Sequence, residues 1–284
     1  MSCRHSAPLR FMPLLFALFL GACTIPDAGR RMDAAARLAA GAGWRLEHLP
    51  AGRFELAAFL PARLEDPEKP VRIYIEGDGL AWINAGRVSS DPTPVNPLAL
   101  KLALLDSSRN AAYLARPCQF ARKGGTSCGS EWWTDKRFSH EAVDAAGMAI
   151  DRIKQRFHTE KVILIGYSGG GAIGALVAAR RKDVAALVTV AGNLDTARWT
   201  ALHGIRPLAG SLNPADYAGL LEHVPQKHYS GAEDAIVPPQ IARDYAARFR
   251  NEPAIVLLPG ADHSCCWEQY WQSRQAEIFT FTKP

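Results

Sequence analysis

Residues 161–181 read KVILIGYSGGGAIGALVAARR, and no other segment constrains the fold as tightly. An unbroken aliphatic run stops at a glycine, and a glycine cluster follows. Small and aliphatic residues then continue to a pair of arginines. The pattern predicts a buried strand over 161–166 passing directly into a helix over 170–181. A strand apolar on both sides, feeding a helix at once, belongs to a parallel sheet with helices laid over it.

The rest of the chain repeats that alternation from Trp44 onward. WRLEHL and RFELAAFL read as two strands of a hairpin around Pro50, Ala51 and Gly52. Further strands are expected at 71–77, 111–117, 184–192, 227–231 and 254–260. A helix with Ser139 as its N-cap is expected to run to about Phe157, another near 239–249, and a last one after residue 260. The fold class is therefore α/β: a mostly parallel, doubly wound sheet with helices on both faces. With no internal repeat or low-complexity block, 44–284 reads as one domain.

Gly166-Tyr167-Ser168-Gly169-Gly170 satisfies G-x-S-x-G, and its placement carries more weight than the match. Between a strand and a helix the turn is tight, so small residues at 166 and 170 let the two elements approach. The serine is left on an exposed, strained point. Asp234 follows the strand at 227–231, and His263 follows the strand at 254–260. The order Ser, Asp, His, each beyond a strand's C-terminal end, is what three side chains need to converge at one edge of such a sheet. On these residues the chain resembles the α/β-hydrolase superfamily across 44–284. The resemblance implies Ser168 as nucleophile, His263 as general base and then acid, and Asp234 as the carboxylate orienting it. Asp262 and Asp195 are the weaker alternatives for the carboxylate. The resemblance also implies a small cap within 193–224, with Trp199 and Leu202 on its inner face.

Acyl transfer needs donors for the developing oxyanion. The backbone N–H of Gly169 is one candidate, and that of Asp78, in the Glu76-Gly77-Asp78-Gly79 loop after strand 71–77, is the other. Members of this superfamily often carry His-Gly where this chain has Glu-Gly. Carboxylates facing an oxyanion would repel it, so the Glu76 and Asp78 side chains are expected to turn away and hold the loop or a neighbour. No metal or organic cofactor is required. The expected substrate is a small-molecule or lipid-like ester or related acyl compound, since nothing in the sequence selects the leaving group.

Two rival readings remain at this stage. Gly169-x-Gly171-x-x-Gly174, with Asp195 about 20 residues on, satisfies a dinucleotide fingerprint. That fingerprint normally opens a domain, whereas this strand lies past the middle of the chain. The second rival is a non-catalytic envelope protein keeping the fold as a binding or structural module, which would not need Ser, Asp and His together. Trp132, Trp133 and Trp267 read as core or rim aromatics. His48, His140, His158, His203, His223 and His228 read as surface or capping residues.

The first 22 residues read as an address. A short basic stretch with Arg4 and Arg10 precedes an apolar run, FMPLLFALFL, too short to span a bilayer. Leu20-Gly21-Ala22-Cys23 then resembles the lipobox of bacterial lipoproteins. The resemblance implies a signal peptide over 1–22 and a diacylglyceryl anchor on Cys23. Residues 23–43 then form an Ala/Gly-rich tether with a short helix, holding the domain in the cell envelope. In a Gram-negative host, Thr24 in place of Asp resembles an outer-membrane destination, on the periplasmic side. Export leaves Cys118, Cys128, Cys265 and Cys266 in an oxidising compartment. Of the three possible pairings, Cys118 with Cys128 closes a short Gly-containing loop and is the expected bridge. Cys265 and Cys266 would then pair with each other or stay reduced. Composition adds exclusions: 48% hydrophobic and 21% charged residues fit a globular protein and not a disordered one. A net charge of +5, without basic runs interleaved with aromatics, gives no support to nucleic-acid binding.

Overall fold

Strand β2 (Phe54–Pro61) shows how the sheet is built. Leu56, Ala58 and Leu60 face one layer of core, while Ala57 and Phe59 face a second. Alternate side chains of a pleated strand point to opposite faces, so a strand carrying apolar residues on both faces must be covered twice. The structure is a computed structural model and describes residues 25–66, 68–122 and 128–281. Cys23 and the expected signal peptide lie outside the described residues.

After α1 (Ala28–Gly41) come β1 (Trp44–Ala51) and β2, paired antiparallel as the expected hairpin. Next are β3 (Val71–Ile75), the short β4 (Trp82–Asn84) and β5 (Arg87–Val88), α2 (Leu98–Leu104) and β6 (Ala111–Leu114). Then follow α3 (His140–Phe157), β7 (Val162–Tyr167), α4 (Gly169–Ala178) and β8 (Val184–Val190). The chain ends with α5 (Thr196–Leu202), β9 (Gln226–Gly231), α6 (Pro239–Ala246), β10 (Ala254–Leu258) and α7 (Trp267–Ile278). Eight strands form one sheet in the order β1-β2-β6-β3-β7-β8-β9-β10. From β6 to β10 all neighbours are parallel. Helices α3, α4 and α6 pack on one face, with Leu164, Leu187 and Ile75 beneath them. Helices α2 and α7 cover the other, over Tyr74, Tyr113 and Val190. The doubly wound α/β architecture is as the sequence predicts.

From β3 the chain winds outward to β6, then returns to place β7 on the opposite side of β3. Such a reversal opens a crevice beyond the strands' C-terminal ends. The loops following β3 and β7 both enter it.

Four features differ from expectation. The helix assigned to a tether is docked: α1 buries Ala35 and Ala39 in the second core, and Arg31 donates to the Thr93 carbonyl at 2.6 Å. Helix α2 and the β4–β5 hairpin have no counterpart in the sequence reading. LALKLAL is apolar nearly all round and lacks the polar face that marks an amphipathic helix. Within 193–224 the chain forms α5 and a 3-10 turn at Pro214–Leu220, tied to the segment before α3 by Ser211 Oγ donating to the Asp135 carbonyl at 2.6 Å. Trp199 is half-buried there, its Nε1 donating to the Ile236 carbonyl at 2.7 Å, whereas Leu202 is 43% exposed. Finally, His228 is wholly buried in β9, with Nδ1 2.9 Å from Thr189 Oγ1, and its pKa is pushed down to about 3 by burial. It is a neutral core residue and not a surface one.

Candidate active site

Strand β7 ends at Tyr167 and α4 starts at Gly169, leaving Ser168 alone to turn the chain. It does so with φ 52° and ψ −121°, a conformation that costs a side-chain-bearing residue about 1–3 kcal/mol. The surroundings hold it there. Its N–H donates to the Val190 carbonyl at 2.9 Å, and its own carbonyl accepts from Gly171 at 2.9 Å and Asn193 at 3.0 Å. Glycine at 166 is a requirement of close approach, since a Cβ there would lie 2.3 Å from the Gly170 carbonyl oxygen.

The three residues singled out by order along the chain meet at this point. His263 Nε2 lies 3.0 Å from Ser168 Oγ, and His263 Nδ1 lies 2.9 Å from Asp234 Oδ2. The Asp234 side chain is fully buried, and its Oδ1 accepts the N–H groups of Ile236 at 2.9 Å and Val237 at 2.8 Å. Because Oδ1 is occupied, Oδ2 is the oxygen that faces the imidazole. Neither alternative carboxylate joins them. Asp195 caps α5 through the Arg198 N–H and pairs with Arg248 at 3.3 Å. Asp262 turns outward to accept from Ser264 and Cys265.

The imidazole is carried on a pinned backbone. Trp267, completely buried, donates from Nε1 to the carbonyls of Asp262 at 3.0 Å and His263 at 3.2 Å. Tyr167 donates its hydroxyl to the His263 carbonyl at 3.1 Å. Trp132 and Trp133 are core residues, Trp132 stacking edge-on against Phe54 at 5.0 Å. Cys118 and Cys128 form the expected disulfide, and Cys265 and Cys266 pair with each other just after His263.

The loop after β3 runs beside the serine: a Cβ on Gly77 would lie 3.2 Å from the Ser168 Cβ. Both acidic side chains of this loop are paired, Glu76 within the core and Asp78 over Gly169. Glu76 is buried, accepting the Gly77 N–H at 2.9 Å and the Tyr113 hydroxyl at 3.2 Å. Burial raises its pKa to about 7 against the opposing pull of those donors. Asp78 pairs with Arg137 at 2.6 Å and Arg116 at 3.3 Å. Burial alone would raise its pKa, but the two guanidinium groups outweigh that and hold the carboxyl below its ordinary range. Arg116 in turn is pushed down to about 10 by burial, with Asp78 opposing. Two cations facing one anion remove the repulsion that a carboxylate here would otherwise exert. Among the described residues, no acceptor takes the N–H of Gly169 or that of Asp78.

Arg116, Arg137 and Gln119 escape the sequence reading, because each comes from a loop without periodicity or motif. A buried arginine carries no local sequence mark that distinguishes it from a solvated one. The only available signal was the pair of acidic residues in the β3 loop, whose charge had to be answered by something.

No family model matches the sequence, and no curated protein matches it. Among solved structures the chain is similar to an acylaminoacyl peptidase of Pyrococcus horikoshii, with a TM-score of 0.60 and 15% identity, over 83% of this chain and 40% of that one. It is similar to Est1E from Butyrivibrio proteoclasticus with ferulic acid bound, at a TM-score of 0.59 and 14% identity, over 82% of this chain and 98% of that one. A third is an α/β serine hydrolase without lid from Xanthomonas campestris, at a TM-score of 0.52 and 17% identity, over 84% of this chain and 96% of that one. The chain thus spans two-fifths of the peptidase and nearly the whole of the other two. At these identities the likeness concerns architecture, and with the sheet order and elbow described above it shows that this chain has the α/β-hydrolase fold.

Proposed function

We propose that the protein is an exported, lipid-anchored serine hydrolase that cleaves an ester or related acyl bond. The observation that carries the chemistry is the continuous hydrogen-bonded line from Ser168 Oγ through His263 to Asp234. Ser168 Oγ attacks the carbonyl carbon while His263 Nε2 takes its proton. Asp234 holds the imidazole and stabilises the imidazolium that forms. The N–H groups of Gly169 and Asp78 receive the oxyanion as the tetrahedral intermediate develops. His263 returns the proton to the leaving group, and water, activated by the same imidazole, releases the acyl group. The neighbouring folds include a peptidase and a protein that binds ferulic acid, so the fold itself does not set the bond. Hydrolysis of a panel of esters, thioesters and amides by the purified chain, beside Ser168→Ala, tests the reading. Turnover of one substrate class that vanishes with the serine supports it, and identical rates for both proteins refute it.

The lipid anchor rests on the sequence around Cys23. Helix α1 starts at Ala28, a few residues beyond, and is packed on the domain, so a lipidated Cys23 would hold the domain against a membrane surface with little slack. Mass spectrometry of the mature N-terminus should find a diacylglyceryl group on Cys23. An unmodified start elsewhere would refute the anchor and the envelope location that follows from it.

A further inference from the structure

We infer that Gln119 is a positioning residue for the oxyanion site, fixing the direction of the Asp78 N–H through the peptide plane that Asp78 shares with Gly77. This rests on the hydrolase reading and adds a residue to it. The peptide group is planar and trans, so its carbonyl and its N–H point in opposite directions. Gln119 Nε2 donates to the Gly77 carbonyl at 2.9 Å. Whatever holds that oxygen therefore aims the Asp78 N–H the other way along the same plane.

The amide of Gln119 cannot turn over without losing both its bonds. Its Oε1 accepts the Arg116 backbone N–H at 3.0 Å, an end that must be an acceptor, which leaves Nε2 for the Gly77 carbonyl. The residue is 1% exposed, so water has no access to take over either bond. It is also held by its own backbone, the N–H donating to the Arg116 carbonyl at 3.2 Å. Its neighbours on both sides have positive φ, Cys118 at 71° and Phe120 at 53°, and Cys118 is bridged to Cys128. The Phe120 N–H is in turn bound by Thr93 Oγ1 at 2.8 Å. Gln119 thus sits at the centre of a segment fixed on every side.

Several other groups of the β3 loop are committed as well. The Gly77 N–H goes to Glu76, the Asp78 carboxylate to Arg116 and Arg137, and the Leu80 N–H to the Pro92 carbonyl at 3.1 Å. Gly79 must lack a side chain, since a Cβ there would lie 2.0 Å from the Pro92 carbonyl oxygen and 2.8 Å from Gln119 Nε2. No acceptor among the described residues takes the Asp78 N–H, and Gln119, holding the Gly77 carbonyl, sets its aim. Preorganised donors of this kind act on the transition state more than on bound substrate.

The test compares Gln119→Met, which keeps length without a donor, and Gln119→Glu, which keeps shape and puts an acceptor against the Gly77 carbonyl. Active sites are counted by fluorophosphonate titration, so loss of folded protein does not enter the rate. The expected result is a kcat per titrated site lower by on the order of 10- to 100-fold, with KM within about twofold of wild type. The second-order rate of fluorophosphonate labelling should fall alongside. Wild-type kcat per site in either folded variant overturns the inference, as does a change confined to KM. Should both variants fail to fold, nitrogen NMR of the unaltered chain decides. The Gln119 side-chain amide protons should exchange slowly, and the Asp78 amide should move downfield when Ser168 carries the phosphonyl group. Fast exchange, or an unmoved Asp78 amide, overturns it. A wild-type chain that takes no label at all contradicts the hydrolase reading itself, which keeps the two failures distinct.

Discussion

Asp234 gives one carboxylate oxygen to His263 Nδ1 at 2.9 Å and commits the other to two backbone N–H groups of its own loop. The carboxylate therefore has one orientation, and the imidazole bonded to it has one tautomer, with Nε2 left to receive the serine proton. Asp234→Asn retains the loop bonds through the amide oxygen but offers Nδ1 an N–H in place of an acceptor. It should lower kcat by roughly 10³- to 10⁴-fold with little change in melting temperature. Steady-state kinetics beside thermal unfolding checks both halves of that statement.

Gly169 lies directly under the Asp78 carboxylate. A Cβ at this position would fall 2.0 Å from Asp78 Oδ1 and 3.1 Å from Arg116 Nη1. Gly169→Ala must therefore displace the β3 loop, moving both proposed oxyanion donors at once. Activity should fall by about 100-fold or more, the scale of a lost oxyanion donor. A variant with near-wild-type kcat would show that the loop is looser than its contacts indicate.

Glu76 links this loop to the pH dependence of stability. Its folded pKa, raised by burial to about 7, lies above the 4.5 of an ordinary glutamate, so the folded chain holds the proton more tightly than the unfolded one. The stabilisation is complete below about pH 4.5 and is lost as pH rises through 7, to a maximum of about 3 kcal/mol. Glu76→Gln keeps an acceptor for the Gly77 N–H and cannot ionise. Urea titrations should show a flatter profile for the variant, and greater stability than wild type at pH 8. Parallel profiles would contradict the assignment.

The Cys118–Cys128 bridge closes a loop with a sequence separation of 10. Loop entropy assigns such a bridge about 2–3 kcal/mol. The double variant Cys118→Ser/Cys128→Ser should lose stability on that scale while leaving Cys265 and Cys266 paired. Chemical denaturation of the non-reduced protein measures it, and equal midpoints would count against the account.

The site was legible in the sequence to the extent that local chain geometry dictates it. Ser168 announces itself because a strand-to-helix turn this tight needs glycine around it. Asp234 and His263 follow from the places where parallel strands end. The supports of the site were not legible for the opposite reason. Gln119, Arg116 and Arg137 reach the β3 loop from segments distant in sequence, through side-chain bonds that leave no periodic trace. The hairpin and the central strands were visible as apolar runs. Helix α2 was hidden because burial on all sides removes the polar face by which a helix is recognised. Helix α1 was visible as a helix, but its docking depends on Arg31 finding the Thr93 carbonyl, a long-range contact.

The central claim is that Ser168 is an activated nucleophile. Treating the purified chain with a fluorophosphonate and mapping the adduct by peptide mass spectrometry tests it most directly. The account predicts a single phosphonyl group on Ser168, absent in Ser168→Ala and slowed by about 100-fold or more when His263 is replaced by alanine. A folded wild-type chain that stays unlabelled, or labels equally without Ser168, would contradict it.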